Sequence, residues 1–124
     1  MRVFRSKWFV KFARKEHISD ATLCGAIKDA EIGDIDAEYG GGAINQSIAR
    51  PNKGKSGGYR TIILFRRGDR AFFVDAFPKS GRDNKSEFEE RTFKDLAKRT
   101  LALSDAALEQ LIKTEACTEV MCEE

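Results

Sequence analysis

The sequence predicts an α+β fold in which helices pack on a small, twisted, mainly antiparallel β-sheet. Two observations carry this. Apolar residues recur at helical spacing up to about Ala30 and again after Ser86, whereas between Ala43 and Pro78 they recur every second residue. Glycine and Gly-Asp breaks divide that central stretch into strands short enough to meander.

Taken in order, Arg2 to Ser6 is short and carries β-prone Val3 and Phe4, so it reads as a strand. Trp8, Phe9, Phe12 and Ala13 then fall on one helical face and are expected to join the core. Ser19 is a good N-cap for a second helix with an apolar stripe of Leu23, Ala26, Ile27 and Ala30, ending before Gly33. Gly40, Gly41 and Gly42 turn the chain.

In the first long strand Ile44, Gln46, Ile48 and Arg50 share a side, and Pro51 ends it. In the next, Arg60, Ile62 and Leu64 share a side. A turn at Gly68 and Asp69 pairs Tyr59 to Arg67 with Arg70 to Pro78, setting Ile62 opposite Asp75 and Arg60 opposite Phe77. Ser86 with Glu89 reads as a capping box for a third helix burying Phe88, Phe93, Leu96 and Ala97. Ser104 caps a fourth with Ala107, Leu108, Leu111 and Ile112. Residues 1–114 are expected to form one domain, and 115–124 an acidic, frayed tail.

A chain of 124 residues supports a single core. Its 41% hydrophobic and 34% charged content fits a globular protein and not a disordered one. There is no run of about 18 apolar residues to span a bilayer, and no secretory signal is read at the N-terminus, so a cytoplasmic protein is expected. Cys24, Cys117 and Cys122 form an odd set without a CxxC, so reduced thiols are expected, and neither a disulfide scaffold nor a metal site. The net charge is only +2, but residues 42–82 carry nine basic and two acidic groups, and residues 83–124 six and eleven. A basic centre points to a polyanion, with nucleic acid the first candidate.

The segment Arg50-Pro-Asn-Lys53-Gly-Lys55-Ser-Gly-Gly-Tyr59-Arg60 concentrates these features. Its stretch from Pro51 to Gly58 reads as a long glycine-rich loop that suits phosphate. Gly54-Lys55-Ser56 matches the tail of a Walker A loop, but Ala49 stands where that loop needs glycine and no helix should follow, so nucleotide triphosphate binding is rejected. An isolated loop of this kind is usually a solvated connection. Convergence favours function: Arg50, Arg60, Lys79 and Arg82 are expected at one end of the sheet, where such cations repel unless an anion binds. Tyr59 joins them as a candidate for RNA contact, although burial is the commoner fate of an aromatic at a strand position. The sole histidine, His17, is expected between helices and without a role.

The run Ser-Gly-Gly-Tyr59-Arg60, the Gly-Asp turn and Phe77-Pro-Lys79-Ser-Gly-Arg82-Asp-Asn84 resemble the RelE and HigB superfamily of type II toxins, in the branch with an Ala-Arg-Pro and Gly-Lys-Ser-Gly-Gly-Tyr-Arg core. The similarity extends from about Val3 to Leu111. It implies a RelE-like fold, a cognate antitoxin as partner, and ribosome-dependent cleavage of mRNA in the 30S decoding site, with no cofactor and no membrane.

Metal-independent cleavage of RNA requires an aligned and activated 2′-OH and stabilisation of the extra negative charge on the phosphorane. By resemblance, Arg60 stabilises that charge, Arg50 is a basic active-site residue before the loop, and Lys79 and Arg82 are the basic pair after the last strand. Lys53 and Lys55 would grip the RNA backbone. The chain departs from several relatives in lacking a tyrosine or histidine after that pair: Asp83, Asn84, Lys85 and Ser86 stand there, and the acid and base stay unassigned. Two alternatives are a non-catalytic gyrase inhibitor like the ParE branch and an RNA-binding module without cleavage.

Overall fold

The computed structural model describes residues 1–51, 54–79 and 87–122, with side chains described for 1–51, 57–79 and 89–122. In chain order the elements are β1 (Arg2–Ser6), α1 (Lys7–Lys15), α2 (Asp20–Glu31), β2 (Ala37–Gly40), β3 (Ala43–Arg50), β4 (Gly54–Arg66), β5 (Arg70–Pro78), α3 (Glu87–Leu101), α4 (Asp105–Lys113) and β6 (Cys117–Val120). Among the described residues the strands form one six-stranded sheet in the order β2-β3-β4-β5-β1-β6. All neighbours are antiparallel except β1 and β5, which run parallel because two helices intervene between β1 and the rest of the sheet. The predicted α+β class is the one observed.

Local signals explain most boundaries. The Ser6, Ser19 and Ser104 side chains accept from the backbone N–H three residues on, at Phe9, Thr22 and Ala107, and so cap α1, α2 and α4. Gly68, at φ 75°, makes the turn between β4 and β5. Arg60 pairs with Phe77 and Ile62 with Asp75, as the sequence predicts, but a bulge then sets Ile63 opposite Phe73 and leaves Val74 extra. Ser86 lies outside the described residues, so its capping role is not described.

Each face of the sheet carries its own core. One, under α1 and α2, includes Phe9, Leu23, Ile27, Ile44, Ile48, Tyr59, Ile63 and Phe73. The other, under α3 and α4, includes Phe4, Leu64, Phe72, Ala97, Leu101 and Leu108. Buried Gln46 ties the first layer together: its amide donates to the Ala26 and Asp34 carbonyls and its oxygen accepts from the Asp36 N–H. A buried amide with all these groups satisfied adds specificity that an apolar side chain could not.

Three expectations are corrected. Trp8 is not core but 49% exposed: Phe9 and Ala13 carry the buried face of α1, and Trp8 stands at its flank, stacked on Phe12. The expected frayed tail holds β6, whose residues Cys117 to Val120 pair with Ser6 to Val3; Arg2 reinforces the edge by bonding Glu119 and Glu109. The expected free thiols of Cys24 and Cys122 are joined in a disulfide between α2 and the residues just past β6, their Cα atoms 5.6 Å apart; Cys117 stays free and buried. Strand pairing of β6 brings Cys122 back over α2, a proximity that cysteine spacing alone does not reveal.

Candidate RNA-contacting end of the sheet

The end of the sheet where β3 finishes and β4 begins is shaped by an irregular ladder. Ile48 faces Tyr59 and Arg50 faces Gly54, so several residues of β4 bulge out against the single Ala49. The expected long loop is therefore strand from Gly54 onward. Gly58 is required at this closure: a Cβ on it would lie 2.0 Å from the Ile48 carbonyl oxygen and 3.1 Å from the Arg50 nitrogen. The Gly58 carbonyl in turn accepts from the Lys79 N–H at 3.1 Å, which fixes the end of β5 beside the start of β4.

The register decides where each cation goes. Tyr59 lies opposite Ile48 on the α1 side of the sheet, and Arg60, the next residue, lies opposite Ser47 and Phe77 on the α3 side. Arg50 sits on the Tyr59 side, its guanidinium carbon 5.6 Å from the centre of the Tyr59 ring. Arg50, Arg60 and Lys79 thus share one end of the sheet, as expected, but Arg50 and Arg60 occupy opposite faces. Lys53, Arg82 and the Lys55 side chain lie outside the described residues.

Arg60 is distinguished by what it lacks. Among the described residues, three arginines, Arg5, Arg60 and Arg70, have a buried Nε without a hydrogen-bond partner. Arg5 is paired with Asp20, and Arg70 with Asp69 and Asp105. Arg60 makes no ion pair with a described residue. A guanidinium partly withdrawn from water, with no ion pair among the described residues, loses solvation that an incoming anion would restore.

Tyr59 is buried at 3% exposure, its ring edge-on to Phe12 at 5.0 Å and its hydroxyl donating to the Glu16 carboxylate. Burial first, and the Glu16 carboxylate second, push its phenol above the ordinary tyrosine range, against a smaller opposing pull from Arg50. The ring is engaged in packing, the commoner fate expected for an aromatic at this strand position. His17 is exposed in the α1–α2 turn at φ 57°, as an interhelical residue.

Sequence reasoning missed the outer face of α1. There, Trp8, Lys11, Phe12, Lys15, Glu16, Arg50, Tyr59 and Pro78 line a groove of about 470 Å³. The signal was available in the charge order: residues 1–15 hold six basic groups and no acidic one, which an average over the first third of the chain conceals. Among the described residues, no cluster of histidine, cysteine and carboxylates is suited to a metal ion, and no helix is long and apolar enough to cross a membrane.

Compared with known families, the chain matches, over residues 1–120, the family model described as the RelE toxin of the RelE/RelB toxin-antitoxin system. No curated protein matches it significantly.

Proposed function

Because the chain belongs to the RelE toxin family of toxin-antitoxin systems, for which an antitoxin is the natural partner, we propose that it is a cytoplasmic endoribonuclease that cuts mRNA on the ribosome. The Ala-Arg-Pro and Gly-Lys-Ser-Gly-Gly-Tyr-Arg segments support placing it in the HigB-like branch. The observation that carries the catalytic reading is Arg60, a rigidly mounted guanidinium on a closed sheet end with a buried, unpaired Nε.

In this reading the scissile phosphate lies against the α3 side of the β4–β5 pair. The neighbouring 2′-OH attacks phosphorus in line, the 5′-oxygen leaves, and the products are a 2′,3′-cyclic phosphate and a 5′-OH. Arg60 supplies two N–H groups in a fixed fork to the non-bridging oxygens as charge builds on the phosphorane. Lys79, held beside it through the Gly58 carbonyl, and Arg82 complete the positive field. Lys53 and Lys55 hold the RNA backbone, and Arg50 contributes from the other face of the sheet end. The basic surface also suits an acidic antitoxin segment, which would neutralise the toxin by covering it.

The test is to express the chain from a tight promoter and map 5′ ends of cellular mRNA. New ends in codon phase are expected with the wild type, reduced about 100-fold or more by Arg60→Ala. Growth arrest without new ends, unaffected by Arg60→Ala, would overturn the nuclease reading in favour of a ParE-like inhibitor.

A further inference from the structure

The face of α1 carries an arrangement that helix stability does not explain. Lys7, Lys11 and Lys15 repeat at every fourth residue, so like charges stack along one side and repel. The first turn has no acidic residue, whereas α2 and α4 begin with Asp20 and Asp105. Lys7 at the helix N-terminus opposes the dipole, whereas Lys15 in the last turn suits it, so the like-charge spacing of the row is what helix stability leaves unexplained.

Beside these cations stands Trp8, the one large aromatic among the described residues that the fold leaves exposed. Trp8 is 49% exposed. One of its faces stacks on Phe12, at 5.4 Å between ring centres and 9° between planes. Phe12 is itself braced edge-on by Tyr59, and Tyr59 is anchored to Glu16 and covered by Arg50. The indole plane is therefore fixed from behind and has no ring partner on its outer face among the described residues. Neither Lys11 nor Lys15 is ion-paired to a described residue, and both line the same groove.

A rigid, half-exposed ring bordered by unpaired cations complements a flat π-face attached to a phosphate backbone. We propose that the Trp8 shelf stacks an unpaired base of single-stranded RNA while Lys11, Lys15 and Arg50 hold the flanking phosphates. The site lies on the opposite face of the sheet from Arg60 and is a binding site only. It rests on the RNA-directed reading above but requires no cleavage.

Trp8 is the sole tryptophan, so its emission reports the shelf directly. The full chain is titrated with hexa-adenylate RNA, with an abasic ribose-phosphate hexamer of equal charge, and with hexaglutamate. Quenching of Trp8 by hexa-adenylate, with much weaker quenching by the abasic strand, is expected. In anisotropy with labelled hexa-adenylate, Trp8→Ala should weaken binding about tenfold while Trp8→Phe keeps most of it. Lys11→Gln combined with Lys15→Gln should lower the slope of log affinity against log salt by about 1 to 1.5.

Equal binding of the base-bearing and abasic strands overturns the proposal, as does absence of quenching. Preference for hexaglutamate overturns it too, and assigns the groove to an acidic protein. A chain that generates new mRNA ends in cells but shows no base-dependent quenching keeps the nuclease reading and loses the shelf; the reverse result keeps the shelf alone.

Discussion

The carbonyl oxygen of Ile48 occupies the space where a side chain on Gly58 would begin, 2.0 Å from the position of a Cβ. Backbone meets backbone there, so no rotamer change can relieve the contact. The strand carrying Tyr59 and Arg60 is locked to β3 through this closure, and to β5 through the bond from the Lys79 N–H to the Gly58 carbonyl.

Gly58→Ala should therefore cost about 2–3 kcal/mol, in the range of an overpacked core site. The measurement is denaturant unfolding, paired with a growth assay. Toxicity should fall further than the stability loss explains, because the ladder can accommodate the methyl group only by moving Arg60. Loss of stability with unchanged activity per folded molecule would show that Arg60 does not depend on this closure.

Arg60→Lys separates charge from geometry. A lysine keeps the positive charge but replaces the planar fork with a mobile point charge. RNA affinity should change little, while the yield of new mRNA 5′ ends drops at least about tenfold. Equal cleavage by the lysine variant would mean that a general positive field suffices.

Tyr59 makes stability depend on alkaline pH. Its folded pKa lies above the ordinary value of 10.0, with burial the main cause and Glu16 the next. The folded chain thus binds the phenolic proton more tightly than the unfolded one, and this contribution is complete below pH 10 and lost as pH rises through the folded value. Tyr59→Phe should lower stability at neutral pH by about 1–3 kcal/mol, the worth of a hydrogen bond to a charged acceptor. It should also flatten the decline in Tm above pH 10. A parallel decline in wild type and variant would place the alkaline sensitivity elsewhere.

The Cys24–Cys122 bridge closes a loop with a sequence separation of 98. On the chain-entropy account such a loop adds up to about 4–5 kcal/mol. Reductant should lower the Tm of the wild type and leave Cys24→Ser unchanged. Thiol titration in denaturant should find one reactive cysteine, Cys117, before reduction and three after. Three thiols without reductant would show the bridge to be open in solution.

Much of this fold is legible in the sequence where local chemistry decides it. The β4–β5 register follows from the turn at Gly68, and three helix starts follow from Ser6, Ser19 and Ser104, of which Ser19 and Ser104 are read in advance. The strands β2 and β6 are not legible: Ala-Glu-Tyr-Gly and Cys-Thr-Glu-Val are four residues each, too short for alternation to stand out, and they form only because a neighbouring strand offers an edge.

The candidate site is half legible for a related reason. The sequence shows that Arg50 shares a side with Ile48, and that Arg60 shares one with Ile62. Whether those are the same side depends on the β3–β4 register, set by how many residues bulge between Gly54 and Tyr59. A single step in that count exchanges the faces. The exposure of Trp8 escapes notice because helical spacing treats every aromatic on the stripe as buried, whereas only Phe9 and Ala13 of α1 face the core fully.

The placement of β1 also bears on biosynthesis. Val3 is flanked by Ala71 on one side and Val120 on the other. β1 must wait for β5 to appear, and then for β6, before its hydrogen-bonding groups are satisfied on both edges. A nascent chain halted anywhere before Val120 therefore carries an open strand edge near its N-terminus, a target for chaperones or for mispairing with another copy. On the reading proposed above, in which the chain stops translation, its own half-made copies would be left unable to mature.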